Sequence, residues 1–114
     1  MGMKKVEAII REEKLERVKS LLENGGHFGM TISEVKGRGR QKGITLKWGS
    51  KEHRYDILPK LKIEMVVMDE DASPVVNAIV TGARTGEIGD GKIFVFPIED
   101  VIRVRTGDSG TSAV

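Results

Sequence analysis

Apolar residues change period along this chain in one order, twice over, and that order constrains the fold more than any other feature. From Lys4 to Arg11, Val6, Ala8 and Ile10 alternate with charged or mixed positions, the pattern of a half-buried strand. From Glu13 to Asn24, Leu15, Val18, Leu21 and Leu22 recur at helical spacing, and Glu12 and Glu13 stand where the helix dipole favours negative charge. Gly25-Gly26 stops this helix, because glycine takes the left-handed C-cap conformation at least cost. Thr31, Ile32 and Val35 make a second strand. The order then repeats. After Pro59, Leu61 to Val67 places Leu61, Ile63, Met65 and Val67 on one strand face. Asp69-Glu70-Asp71 opens a helix that runs to about Ala83, with Val75, Val76, Ile79 and Val80 as its apolar contacts. Pro74 fits this helix only in the first turn, where its missing N–H costs nothing. Lys92 to Phe96 is a strong strand that Pro97 interrupts, and Val101 to Val104 is expected as a further short strand. From Gly107 onward the tail is small and polar, and mobility is expected there.

Strand, helix, strand, then strand, helix, strand, defines an α+β fold: a ferredoxin-like double βαβ with an antiparallel sheet and both helices on one face. With 114 residues the chain is one domain, 1–114. Hydrophobic residues make up 39% but aromatics only 4%, so the core is mainly Val, Ile, Leu and Met. A domain of this size buries roughly 65% of its unfolded surface, which leaves stability modest. The sheet face without helices therefore favours association with further copies.

Several classes are excluded or disfavoured. Without cysteine there are no disulfides and no thiol chemistry. No apolar run approaches the ~20 residues that span a bilayer. The N-terminal stretch lacks a signal-peptide core, and Val6 stands where a myristoylation motif needs Ser or Thr. A cytoplasmic location is expected. His27 and His53 form no metal motif and read as ordinary surface residues, and no serine sits in a nucleophile elbow. An enzyme is thus not the expected reading. The net charge of +2 is too small to imply nucleic acid, but its placement is informative. Lys36, Arg38, Arg40, Lys42, Lys47, Lys51, Arg54, Lys60 and Lys62 face only Glu52 and Asp56 in that span.

Residues 37–57 are polar, basic and broken by Gly37, Gly39, Gly43 and Gly49, with no sustained period. Most connections run about 4–6 residues, so a loop of this length is functional or disordered. Three segments suit anions. In Gly86-x-x-Gly89-Asp90-Gly91-Lys92, glycines let amides approach closely and Lys92 adds a point charge, although the segment alone also suits a plain hairpin turn. In Arg103-Val104-Arg105, alternation puts two guanidinium groups on one strand face, suited either to phosphate or to pairing with Glu99 or Asp100. The run Arg38-Gly39-Arg40-Gln41-Lys42-Gly43 can grip phosphate or carboxylate, or lie solvated.

These segments coincide with one family. Thr85-Gly86-Glu87-Ile88-Gly89-Asp90-Gly91-Lys92-Ile93-Phe94-Val95 resembles the C-terminal signature of the PII nitrogen-regulatory signal-transduction proteins. Glu34 to Gly43 resembles the entry to that family's T-loop, Leu58 to Glu64 its exit, and Arg103 to Gly107 its C-loop. The similarity runs from about Lys4 to Gly107. It implies a homotrimer with a T-loop at about 37–57, between the second and third strands, a B-loop at about 84–92, and a C-loop and tail at about 104–114. It also implies that ATP and ADP compete for clefts between subunits. Gly89, Asp90, Gly91 and Lys92 would cradle phosphates, and Gly37, Arg38, Gly39, Arg40 and Gln41 would close the site from the T-loop base. Arg103 and Arg105 would reach in from the neighbouring subunit, while Thr31, Glu64 and Val66 surround adenine and ribose. The resemblance further implies 2-oxoglutarate beside Mg-ATP, with Gln41 as a Mg2+ ligand and Gln41, Gly43, Lys60, Ile88 and Gly89 around the acid. The implied partners are an ammonium transporter or a nitrogen-assimilation enzyme or regulator such as glutamine synthetase. A membrane is approached only indirectly, through a transporter, and no nucleic acid is involved.

Two departures stand out. His53 occupies the position of the family's modified tyrosine, with Tyr55 displaced by two, so uridylylation is not expected. Gly49 stands where transporter-binding members carry an arginine, which leaves Lys47, Trp48, Lys51 and Arg54 as the partner-binding residues of the loop. Trp48 is either a partner's anchor or folded against its own loop. Two rival readings use the same residues: an RNA-binding sheet built on Phe94 and Phe96, and a sluggish ATPase using Lys92.

Overall fold

The computed structural model describes residues 2–38, 47–48, 51–52 and 57–114. Strand β1 (Met3–Ile10) leads through a short 3-10 turn to helix α1 (Leu15–Asn24), then β2 (Thr31–Gly37). Two short strands, β3 (Lys47–Trp48) and β4 (Lys51–Glu52), pair with each other. Strand β5 (Leu58–Met68) runs directly into α2 (Asp69–Ala83), which is followed by β6 (Gly91–Ile98). The main sheet has the order β2-β5-β1-β6 with every pairing antiparallel. This is the ferredoxin-like arrangement expected from the order of periods.

Alternation explains the layering. On β1 and β5, Val6, Ala8, Ile10, Leu61, Ile63, Met65 and Val67 are all buried beneath the helices. Register pairs Val6 with Met65 and Ala8 with Ile63, so the apolar stripes coincide across neighbouring strands. Val18 and Leu22 of α1 and Val75 and Ile79 of α2 complete this core. Each such side chain contributes about 1.5–3 kcal/mol by leaving water. The helices approach closely at Gly82, where an added Cβ would lie 2.9 Å from the Val18 Cα. Helix α1 ends as Gly25-Gly26 predicts. Gly26 takes φ +85°, and the N–H groups of Gly26 and His27 donate to the carbonyls of Glu23 and Leu22, both at 2.9 Å.

Proline gave three expectations that tertiary context corrects. Pro59 lies inside β5, which begins at Leu58 rather than at Leu61. Pairing with β1 starts only at Leu61, so Pro59 stands where β5 is flanked by β2 alone. Pro97 does not interrupt β6, which continues to Ile98 on the sheet edge, opposite Lys4. An edge position spares both prolines the hydrogen bond they cannot make. Pro74 lies inside α2, beyond the first turn. Both Pro74 and Glu70, whose carbonyl loses its helical donor, are exposed, so water can satisfy the freed group, while buried Val75 and Ile79 hold the helix together.

Past Ile98 the chain leaves the sheet. Instead of a strand at Val101 to Val104, a single bridge joins Ile102 to Ser109, and the segment turns back on itself. Arg103 N–H donates to Asp108 O at 2.8 Å, Gly107 N–H to Arg103 O at 2.7 Å, and Gly110 N–H to Val101 O at 3.0 Å. Asp100 Oδ1 accepts from the amides of Val101 and Gly110, which tightens the turn. The tail is therefore tied down through a 3-10 turn, Gly110–Ala113, where mobility was expected. Val104, 99% exposed, stands at the tip of this hook.

Candidate functional site

The glycine-rich loop between α2 and β6 is organised around one carboxylate. Asp90 Oδ2 accepts from the amides of Thr85 at 2.8 Å and Gly86 at 2.9 Å, while Oδ1 accepts from the Thr85 hydroxyl. Arg11, just past β1, donates its Nε to the same oxygen at 3.3 Å and an Nη2 proton to the Ile88 carbonyl at 3.0 Å. Burial alone would push the Asp90 carboxyl upward. The hydrogen bonds from Thr85, Gly86 and Arg11 outweigh it and hold the group well below the ordinary carboxylate range. Asp90 is thus an ionised clasp turned into the loop, and what it can offer an external anion is its backbone amide.

Two glycines make this path possible. Gly89 has φ +102° and Gly91 φ +113°, a region that side chains disfavour. At Gly91 a Cβ would also run into the carbonyl oxygen of Ile9 on the paired strand. Among the described residues, the amides of Ile88, Gly89 and Asp90 take part in no hydrogen bond. Successive amides without partners, with exposed Lys92 immediately beyond them, are an arrangement whose chemistry suits an anion.

Lys60 is the second tie. Buried on β5, it donates Nζ to the Gly89 carbonyl at 2.7 Å. Burial, reinforced by the nearby Arg11 charge, pushes its ammonium below the ordinary lysine value. Gly37, at the end of β2, lies against it: a Cβ there would sit 3.4 Å from the Lys60 Cγ. The start of segment 37–57, Lys60 and the loop therefore meet at one end of the sheet.

Farther along the same sheet face, Thr31 and Glu64 are register partners on β2 and β5. With Val66, Gly29, Met30 and Lys5 they line one cleft. Lys5 Nζ lies 2.7 Å from Glu64 Oε2.

The structure thus groups Thr31, Glu64 and Val66 in one place, and Ile88, Gly89, Asp90, Gly91 and Lys92 with Lys60 and Gly37 in another, with exposed Arg38 next in the chain. It does not align Arg103 and Arg105 on a strand face. Arg103 donates to the Ser112 carbonyl at 3.2 Å and approaches Asp108 at 3.7 Å, not Glu99 or Asp100, and Arg105 is exposed in the turn of the hook. Gly39, Arg40, Gln41, Gly43, His53, Arg54 and Tyr55 lie outside the described residues, and Lys47, Trp48 and Lys51 are described only as strand backbone. Sequence reasoning missed Arg11 and Lys5. Their signal was weak, since each is one charge among several near the start of the chain, and the group it meets depends on strand order and register.

A ferredoxin-like α+β subunit with a clasped glycine-rich loop at one end of its open sheet face is the class of protein these features define. The family model for "Nitrogen regulatory protein P-II" matches residues 3–108, and the chain belongs to that family. It is 57% identical over 112 residues to nitrogen regulatory protein P-II 2 of Methanothermobacter thermautotrophicus, covering 98% of this chain and 97% of that one. Identity to the nitrogen regulatory protein P-II of Nostoc punctiforme is also 57%, over 98% of this chain and all (100%) of that one. The crystal structure of Arabidopsis thaliana PII bound to citrate superposes with a TM-score of 0.81 at 43% identity, covering 99% of this chain and 92% of that chain. Among the described residues no helix is long and apolar enough to cross a membrane.

Proposed function

We propose that this protein signals nitrogen and energy status by binding ATP or ADP, in competition, in clefts between the subunits of a homotrimer. The observation that carries the reading is the loop from Thr85 to Lys92, clasped by Asp90, Arg11 and Lys60 so that the amides of Ile88, Gly89 and Asp90, just before Lys92, have no hydrogen-bond partner among the described residues. Such a cradle suits phosphate. The spacing fits as well: Lys60 and Glu64 share a face of β5 four residues apart, about 13 Å at strand rise. An extended nucleoside triphosphate can bridge that length, phosphates toward Gly89 and nucleoside toward Thr31, Glu64 and Val66. The remaining phosphate contacts would come from Gly37, Arg38, Gly39, Arg40 and Gln41, and from Arg103 and Arg105 of a neighbouring subunit. The hook beyond Ile98 suits that last role, because it bonds to itself and leaves Arg105 exposed.

With Mg-ATP bound, 2-oxoglutarate would occupy the junction of Lys60, Ile88 and Gly89 with Gln41 and Gly43, Gln41 completing the Mg2+ coordination. Citrate in the Arabidopsis protein is likewise a carboxylate ligand, though of that protein. Lys60 touches both the loop and Gly37, so a ligand there can reposition segment 37–57. That segment, as the T-loop, would then fit or miss a target such as an ammonium transporter or a nitrogen-assimilation enzyme, with Lys47, Trp48, Lys51 and Arg54 as contacts. Within a single domain, residues 84–92 serve as the B-loop and 104–114 as the C-loop and tail. The role is regulatory, at most with sluggish ATP turnover, and cytoplasmic.

Calorimetric titration with ATP and ADP, each with and without Mg2+ and 2-oxoglutarate, tests this. Nucleotide binding that tightens with 2-oxoglutarate is the expected result. Binding indifferent to 2-oxoglutarate would reduce the protein to an energy sensor, and no nucleotide binding would overturn the reading.

A further inference from the structure

The open sheet face holds a charge arrangement that the loop does not explain. Register places Glu7 of β1 directly opposite Glu64 of β5. Like charges facing each other across neighbouring strands repel, and the repulsion favours protonating one of them. Lys5 resolves the conflict. Its Nζ lies 2.7 Å from Glu64 and 3.7 Å from Glu7, and 5.7 Å from the centre of the Phe96 ring, whose residue is its register partner on β6. The ammonium is thus held between two carboxylates and an aromatic face, far closer to Glu64 than to Glu7. Lys62, on the same strand as Glu64, adds weaker positive charge, and Thr31 faces Glu64 from β2 without a charge. Both helices lie on the opposite side of the sheet.

We infer that Lys5 is a positioning residue for nucleoside recognition, holding Glu64 ionised and aimed into the cleft it shares with Thr31 and Val66. The inference rests on the nucleotide reading above and deepens it. Lys5 engages one carboxylate oxygen of Glu64 and leaves the second as an acceptor. An ionised carboxylate beside a hydroxyl and an apolar wall suits a ligand that presents sugar hydroxyls or an exocyclic amine with a flat base behind them. A protonated Glu64 would present a donor in place of an acceptor and lose that match. Hydrogen bonding to Lys5, helped by its charge and that of Lys62, lowers the Glu64 carboxyl against a smaller opposing effect of burial.

The experiment measures ATP and ADP affinity from pH 4.5 to 8 for the wild-type protein and for Lys5→Met and Lys5→Arg. The readout is each variant's affinity relative to wild type at every pH, because the terminal phosphate of the nucleotide itself takes up a proton at about pH 6. Lys5→Met should bind both nucleotides about three- to tenfold more weakly at neutral pH, the size of one hydrogen bond. Its deficit relative to wild type should widen on acidification, because Glu64, facing Glu7 without the Lys5 ammonium, takes up a proton more readily. Lys5→Arg should keep a constant ratio to wild type across the range, an outcome that a merely structural role for Lys5 does not predict. Lys5→Met with wild-type affinity at every pH, or Lys5→Arg with the same impairment and the same widening deficit as Lys5→Met, overturns the assignment while leaving the nucleotide reading intact. A wild-type protein that binds no adenine nucleotide overturns that reading, and this inference with it.

Discussion

Lys60 and Gly89 are joined by a hydrogen bond of 2.7 Å from a buried ammonium to a loop carbonyl, which fastens β5 to the glycine-rich loop. The contact runs between the segment that leaves residues 37–57 and the segment with the unpaired amides. Because burial pushes the Lys60 ammonium below its ordinary value, the charged group is held there at a cost.

Replacing Lys60 with Met therefore separates local from global effects. Global stability should change by no more than about 1 kcal/mol, since removing a desolvated charge offsets the lost hydrogen bond. Hydrogen exchange at Ile88 and Gly89 should accelerate, and any 2-oxoglutarate enhancement of ATP binding should vanish. Undiminished enhancement would show that Lys60 is not the carboxylate partner.

Asp90 predicts an acid limit. Its folded-state carboxyl lies below the ordinary 3.8, held down by hydrogen bonds despite burial. Stability from this depressed group is complete above the unfolded value and is lost as pH falls toward the folded one. Melting temperature should drop below about pH 4. Asp90→Asn should lose about 1–3 kcal/mol at pH 7, by urea denaturation, and show a shallower acid decline. An equally steep decline in the variant would assign the acid limit to other carboxylates.

Gly91→Ala combines two penalties. The residue sits at φ +113°, and a Cβ would strike the Ile9 carbonyl oxygen on the adjacent strand. A loss of about 2–5 kcal/mol in equilibrium unfolding is expected. A loss below 1 kcal/mol would mean that β6 can shift away from β1 at this end.

Gly82→Ala tests the helix contact. Alanine in a helix interior gains about 1 kcal/mol over glycine. Here the new methyl would meet Val18 Cα and Cγ2 at 2.9 Å, and a backbone atom cannot rotate away. The collision should win, with a net loss of about 1–2 kcal/mol and a lower melting temperature. A stabilised variant would show that α1 can slide past α2.

Much of the fold is legible in the chain alone because period is local. Val6, Ala8 and Ile10 alternate, Leu15, Val18 and Leu22 recur at helical spacing, and all but the half-buried Leu15 are fully buried as those patterns require. The glycine-rich loop was legible for the same reason, since Gly-Asp-Gly turns are written in consecutive residues. Proline misled because its cost depends on neighbours: Pro59 and Pro97 are tolerated only where no second strand needs their N–H. Arg103 and Arg105 misled for a related reason, as alternation puts side chains on one face only where a strand forms, and the chain beyond Ile98 hydrogen-bonds to itself instead. What tertiary structure alone decided is which distant groups meet. Arg11 with Asp90, Lys60 with Gly89 and Lys5 with Glu64 are brought together by strand order and register, and a shift of one residue in its strand would turn Lys60, Lys5 or Glu64 to the opposite face.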